Sequence, residues 1–488
     1  MIVAPSGGRR LLASPPVALA LALGAGLAIG AAVTFGWALA VLGALLGGAL
    51  ALLLLSSTRS GLLAVIAIAT LLPFGVIPVR LGVQLTLLDA ALATLLLVWL
   101  LGASQHREPL QLTAPGAWLG AFLVVAVAAF ALGARQIAFD ELTRRFVKLL
   151  ASLVLYYCVV NTIRAPRAAR LLERALIAGA TLAALLAVGI WALPTTLQVR
   201  LLSALGPLGY PTGEAVLRYL PGPNNTYSDT LRAVGTSIDP NVLGGMLMLA
   251  AALAAGHLFG KAPLAPRWAL AGALVALAAG MALSNSRSSW VGFAAALGFL
   301  ALFRSRRVLV AGAVVGALLL LSPVGQTMLD RLASGFATQD KASELRLQEY
   351  RNAVAIIRRY PLLGIGFGPA PDLDLQEGVS SLYLTLAEQT GLVGTALYLA
   401  AVGTALLGSL RSSPGTSPDV VTSLGATQAA LVAALTAGLF DHYFVNKDFP
   451  HMVALFWLIV GLLVAWAHLA AAPRAAAATV EERAGARG

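Results

Sequence analysis

Val453-Ala-Leu-Phe-Trp-Leu-Ile-Val-Gly-Leu-Leu-Val-Ala-Trp-Ala-His-Leu-Ala-Ala-Ala472 contains no aspartate, glutamate, lysine or arginine. It matches the ~20 apolar residues that a helix needs to cross a bilayer. Runs of this kind recur from Pro15 onward. Of the 488 residues 59% are hydrophobic and only 11% charged, whereas an average soluble domain carries about 25% charged residues. A water-soluble fold is excluded. The fold class expected is an all-α polytopic membrane protein, a single transmembrane domain over residues 1–472 followed by a tail at 473–488. Spans are expected to begin near Val17, Trp37, Leu62, Leu87, Trp118, Val147, Ala175, Val242, Trp268, Val291, Val308, Leu382, Val421 and Val453. Pro73 and Gly75 interrupt one run and Ser284 to Ser289 separate two others, which puts the count at about 12–14 transmembrane helices. Arg9 and Arg10 before the first run give it the look of a signal peptide, but the many spans that follow make it a retained first span.

The formal net charge is +12. A nucleic-acid partner would need a basic face with interleaved aromatics or a recognisable module, and neither is seen. The basic residues instead report orientation. Arg9/Arg10, Arg59, Arg107, Arg164/Arg167/Arg170/Arg174, Lys261/Arg267, Arg304/Arg306/Arg307, Arg411 and the Arg474 tail fall in alternate connections. The excess of lysine and arginine marks the cytoplasmic side, with both termini inside. The acids expected on that side are Glu108, Glu173, Asp419, Glu481 and Glu482. Cys158, the only cysteine, permits no internal disulfide and reads as a small core residue.

The opposite side holds two long polar connections, about residues 194–240 and about 325–380, and the short stretch Asp441 to His451. The first is rich in turn formers (Pro211-Thr-Gly213 and Pro221-Gly-Pro-Asn-Asn225) and should lack long helices. In the second, Ser343 as N-cap, Glu344 in the first turn, Arg358 and Arg359 in the last, and Pro361 and Gly364 beyond predict a helix. Arg346 and Tyr350 share one of its faces. Gly364-Ile-Gly366-Phe-Gly368-Pro369 lacks the preceding strand and following Lys-Ser/Thr of a phosphate loop, and reads as a turn whose backbone closely approaches a neighbour.

Several side chains in these segments suit chemistry. Arg232, Arg287 and Arg346 offer bidentate forks for phosphate or carboxylate, the bland alternative being snorkelling or salt-bridged surface arginines. Asp89 and Glu388 are carboxylates inside spans, where an ionisable group normally faces a polar cavity or a partner. Asp89 divides evenly between a helix-end and a functional role, and Glu388, deeper, reads as functional. His442, following Asp441, is either a general base or an interfacial histidine, and His451 leads into the last span. No spacing suits a metal site.

Four stretches, in order, carry a resemblance: Arg232-Ala-Val-Gly-Thr-Ser-Ile-Asp-Pro-Asn241, Ser284-Asn-Ser-Arg287, Arg346-Leu-Gln-Glu-Tyr350 with Pro361-Leu-Leu-Gly-Ile-Gly366, and Tyr383-Leu-Thr-Leu-Ala-Glu388-Gln-Thr-Gly391-Leu-Val-Gly394. They resemble the O-antigen ligase and O-antigen polymerase superfamily of bacterial cell-envelope proteins. The resemblance implies a type C glycosyltransferase-like bundle in the cytoplasmic membrane. It implies a metal-independent, inverting transfer of a glycan from an undecaprenyl-pyrophosphate carrier to a glycan or lipid acceptor on the outer face, without a cofactor. Arg232, Arg287 and Arg346, with Tyr350 and Tyr383, would bind the substrate. The family commonly places a His-Asn pair just before the tyrosine that here is Tyr383, and this chain has Ser380-Ser381. The base would then have moved, to His442 held by Asp441 or to Glu388. Two alternatives stand beside this reading: a transporter of small anions, and a non-catalytic subunit of envelope-glycan assembly.

Overall fold

A computed structural model describes residues 57–77, 84–105, 110–133, 139–221, 227–321, 341–368, 378–410 and 416–485, with positions 326, 329 and 333. The spans expected near Val17 and Trp37 lie outside the described residues, as do positions 222–226, where the sequence predicts a turn.

Each of the other twelve expected spans corresponds to a helix. In chain order the helices are α1 (Thr58–Leu71), α2 (Leu87–Ser104), α3 (Ala114–Gly133), α4 (Phe139–Thr162), α5 (Pro166–Trp191), α6 (Thr195–Ser203), α7 (Pro240–Phe259), α8 (Arg267–Ser284), α9 (Arg287–Phe303), α10 (Arg306–Leu320), α11 (Lys341–Arg359), α12 (Leu382–Ser409), α13 (Pro418–Ala437) and α14 (Pro450–Gly485). Among the described residues nine of them are long and apolar enough to cross a membrane, and α1 and α9 are shorter apolar helices. The protein is an all-α, multi-pass membrane protein. Leu97, Val124, Leu185 and Val275 are exposed on the outer flanks of their helices, as a bilayer rather than water requires.

Pattern decides which helices are central. The apolar window of α7 is 89% buried, that of α14 83% and that of α13 78%, against 28% for α2 and α8. A helix apolar on every face belongs inside. The bundle closes through small residues: Gly256 of α7 leaves room only for Ala426 of α13, and Gly292 of α9 admits Met248 and Ala433. Small-residue contacts of this kind let membrane helices approach closely. Cys158 is buried, as expected of a core residue.

The two ends of the bundle differ in composition. At one end Arg170 and Arg174 donate to the carbonyls of Pro263 and Leu264 (2.8 and 3.0 Å), and Lys261, Arg304, Arg306 and Arg307 gather beside the start of α13. Among the described residues this basic face contains the 164–174, 261–267 and 304–307 connections, which the sequence groups together. The other, loop face contains α6, three 3-10 turns, an antiparallel hairpin of β1 (Arg218–Pro221) and β2 (Tyr227–Arg232), α11 and the 438–449 turn. The hairpin was not foreseen, although the turn-rich composition around it was. Helix α11 begins two residues before the expected Ser343, but carries Glu344 and Arg358/Arg359 in its first and last turns as anticipated.

Of two carboxylates, one takes the first of its two expected roles and the other departs from expectation. Asp89 closes a capping box with Thr86 at the start of α2, accepting the Thr86 N–H (2.8 Å), and pairs with Lys148 Nζ at 2.7 Å. It therefore serves a helix end. Glu173, counted among the acids of the basic side, is fully buried. Its Oε1 accepts from Thr427 Oγ1 (3.0 Å) and Trp466 Nε1 (2.9 Å), and its Oε2 meets His257 Nε2 at 3.1 Å. One carboxylate thus ties α5 to α7, α13 and α14. Removing one partner of a buried polar cluster costs about 3–5 kcal/mol when a charge is stranded. Glu173→Ala should lower the melting temperature of the detergent-solubilised protein or abolish its folded yield. Glu173→Gln, which retains an acceptor, should cost less; an unchanged melting curve for Glu173→Ala would remove the network's structural role.

Candidate functional site

The site lies where four chain segments meet on the loop face. The first is the hairpin and the turn after it. Arg232, at the end of β2, donates through Nε to the Ser284 carbonyl (2.7 Å) and through Nη2 to Asn241 Oδ1 (2.6 Å). Asn241 is held in turn by the N-cap of α7, where Asp239 accepts from the N–H groups of Asn241 and Val242 (2.7 and 3.1 Å) and Pro240 supplies the preset φ of a first helical residue.

The second segment is the α8–α9 junction. Asn285 ends α8 in the left-handed region (φ 53°), which asparagine tolerates, and Ser286 stands in extended conformation at the N-cap position of α9. Arg287 therefore stands at the first position of α9, where the helix dipole is positive. Ser286 Oγ lies 3.1 Å from Ser288 Oγ and 2.9 Å from Ser289 Oγ, a buried hydroxyl cluster. Gly244 on α7 makes room for it.

The third and fourth segments close over this junction. Ser288 Oγ donates to Asp441 Oδ2 at 3.4 Å. Asp441 is buried; its carboxyl is pushed above the usual carboxylate range by that burial, with His442 and Arg346 pulling the other way. Tyr350 donates from its hydroxyl to the carbonyls of Ser380 and Leu439, each at 3.2 Å, and Glu349 Oε2 accepts the Ser380 N–H at 2.9 Å. Burial raises the Tyr350 phenol, and the neighbouring Arg346 partly offsets this. The Leu382 N–H reaches the carbonyls of Gly438 (2.8 Å) and Asp441 (3.0 Å). Helix α11 thereby clamps residues 380–382 against the 438–441 turn.

Arg232, the Ser284–Ser289 junction, Asp441 and the Arg346/Tyr350 face are thus gathered in one polar cluster: Arg232 bonds Ser284, Ser288 bonds Asp441, and Arg346 acts on Asp441 through its charge. Ser380-Ser381 adjoins Asp441-His442. The expected anchoring of His442 by Asp441 takes another form: their nearest ring nitrogen and carboxylate oxygen are 3.8 Å apart, and Asp441 Oδ1 accepts the His442 backbone N–H at 2.9 Å instead. A ring hydrogen bond needs a separation nearer 3 Å. Tyr383 donates to the Leu435 carbonyl (2.8 Å), fixing the start of α12 on α13. His451 is fully buried against Phe74, ring centroids 4.9 Å apart, as a packing residue.

Glu388 lies deeper, buried at a bend in α12. Gly391 (φ 66°, ψ −175°) breaks the helix there. The carbonyls of Glu388 and Gln389 accept the N–H groups of Ile365 and Gly366 (2.8 and 3.0 Å). Gly364 and Gly366, both at positive φ, are pressed against Glu388 and against Ala129 of α3, so that a Cβ on either would collide with backbone. The glycine run therefore does approach neighbouring backbone closely, as its sequence predicted.

Arg218 was not singled out from the sequence. It stands opposite Arg232 in the hairpin register and donates to the carbonyls of Ile238 (3.3 Å) and Ala215 (3.1 Å). Like charges directly across a strand pair are unfavourable, and Ile238 itself is held at φ 57°, a costly conformation for a β-branched residue. Two arginines flanking a Pro-Gly-Pro-Asn-Asn turn were the signal available.

No curated protein matches the chain. Residues 272–399 match the family model described as O-Antigen ligase. The matched stretch contains Arg287, Arg346, Tyr350, Tyr383 and Glu388, while Arg232, Asp441 and His442 lie outside it and reach it through the contacts above. Through that stretch, the part of the chain that contributes the α8–α9 junction, α11 and α12 to a helical membrane bundle is similar to the O-Antigen ligase family.

Proposed function

We propose that this protein transfers a glycan from an undecaprenyl-pyrophosphate carrier to a glycan or lipid acceptor at its loop face, on the outer side of the cytoplasmic membrane. The observation that carries this reading is the polar cluster of Arg232, the Ser284–Ser289 junction, Asp441 and the Arg346/Tyr350 face. The acceptor hydroxyl oxygen attacks C1 of the first sugar. The C1–O bond to phosphate breaks and its electron pair leaves with the diphosphate, inverting the anomeric centre. Fixed guanidinium groups stabilise the charge that grows on the leaving diphosphate. The acceptor proton passes to a base, for which His442 is the first candidate and Glu388 the second. The positive-inside rule turns the basic face to the cytoplasm, which leaves the loop face outside.

The test uses the full chain in nanodiscs with a synthetic undecaprenyl-pyrophosphate-linked oligosaccharide and a lipid or glycan acceptor. Release of undecaprenyl pyrophosphate that depends on the acceptor, with one glycan joined per carrier released, is the expected result. Absence of release across an acceptor panel, together with uptake of glycan or small anions by proteoliposomes, would replace transfer with transport.

A further inference from the structure

On the basic face, at the opposite end of the bundle from the candidate site, a cavity of about 470 Å³ opens between α7, α9, α10 and α13. Pro418, Val421, Thr422, Gly425 and Ala426 line it along one stripe of α13. At about 1.5 Å per residue that stripe carries the floor roughly 12 Å below the mouth. Small residues shape it: Gly425 on α13 leaves room for the Arg304 side chain, and Gly256 on α7 packs on Ala426.

The charge in this cavity is of one sign. Lys261, Arg304, Arg306 and Arg307 line it, and no carboxylate stands among the described lining residues. Arg304 is half-buried at the turn between α9 and α10. Its Nη2 is held by Gln428, which is itself fixed by Ser409, while its Nε is buried without a hydrogen-bond partner among the described residues. A guanidinium positioned from behind in this way is preorganised for an oxygen anion. The flank beside the mouth is apolar and outward-facing: Leu302 and Phe303 precede the arginines, and Leu309 and Val310 follow them, all exposed. Cations in a cleft between membrane helices, continuous with a lipid-facing apolar surface, match a ligand with a phosphate head and hydrocarbon chains. Basic pockets between membrane helices take anionic head groups on these grounds.

We propose that this cavity binds the phosphate head group of an anionic phospholipid, with its acyl chains lying along the exposed flank of α9 and α10. The site shares no residue with the candidate transfer site, so its standing is independent of the reaction proposed above.

The experiment is native mass spectrometry of the full chain equilibrated with equal phosphatidylglycerol and phosphatidylcholine. Wild-type protein should retain one phosphatidylglycerol at least 5-fold in preference to phosphatidylcholine. Lys261→Gln/Arg306→Gln/Arg307→Gln should reduce that preference at least 5-fold. Val421→Trp fills the cavity without changing charge and should do the same. Arg164→Gln/Arg167→Gln, on the same face but outside the cavity, should leave retention unchanged. Equal loss in that control pair would assign the effect to diffuse surface charge and overturn the site. Retention in both cavity variants would overturn it as well. Competition by millimolar inorganic phosphate as effective as by added phosphatidylglycerol would show a free-anion site in place of a lipid site.

Discussion

Arg287→Lys is expected to lower glycan transfer at least 100-fold while leaving the level and monodispersity of the protein unchanged. Arg287 opens α9 directly after the N-cap residue Ser286, so its charge adds to the positive end of that helix. A diphosphate leaving group develops charge on several oxygens at once. The planar guanidinium fork grips two of them in a fixed geometry, whereas an ammonium is a single, strongly hydrated point charge. Losing one preorganised donor to a developing oxyanion typically costs about 10²–10³ in kcat. The loss should therefore fall on kcat more than on KM, since the additional negative charge appears on the diphosphate only as the C1–O bond breaks. Arg346→Lys should behave alike, because Arg346 acts electrostatically on Asp441 and Tyr350 within the same polar cluster. Arg232→Lys will show a mixed effect, as that guanidinium also holds the Ser284 carbonyl and Asn241 in place. Wild-type rates in all three lysine variants would rule out the diphosphate clamp.

The second large effect concerns the proton. His442→Ala should reduce transfer by about 10² or more, the usual contribution of a positioned general base, with donor binding nearly unchanged. The reason is a juxtaposition. By the resemblance read from the sequence, Ser380-Ser381 stands where a His-Asn pair is common, and the N–H of the next residue, Leu382, bonds the carbonyl of Asp441, immediately before His442. An imidazole moved from one segment to the other would still serve nearly the same volume. The 3.8 Å separation of His442 Nδ1 from Asp441 Oδ1 is long for a hydrogen bond. Catalytic hydrogen bonds often tighten only when substrate is bound. The decisive variant is a rescue: Ser380→His introduced into His442→Ala should restore at least a tenth of the wild-type rate. A merely structural histidine at 442 would not be rescued from 380. Glu388→Gln is the parallel test, and a larger loss there than in His442→Ala would make Glu388 the base.

Much of the architecture was legible in the chain itself, for a local reason. A bilayer excludes charge and demands internal backbone hydrogen bonds, so apolar runs fix where helices cross. The twelve expected spans within the described residues are all helices. Arginine asymmetry sorted the connections into two faces, and proline, glycine and terminal charges marked the ends of α11, because capping and helix termination act within a few residues. The glycine run at Gly364 to Gly368 was legible as a close approach, since only glycine fits positive φ against backbone. What it approaches was not. The structure alone decided that Glu173 is a buried tie among four helices rather than a surface acid, that Asp89 caps a helix and pairs with Lys148, that Arg218 faces Arg232, and that Ser381 and Leu382 meet the turn before His442. Each of these depends on partners supplied by distant segments. Burial and hydrogen bonding in a helical bundle are set by which faces pack together, and that choice follows from the fit of small and large side chains across helices, which no single stretch of sequence contains.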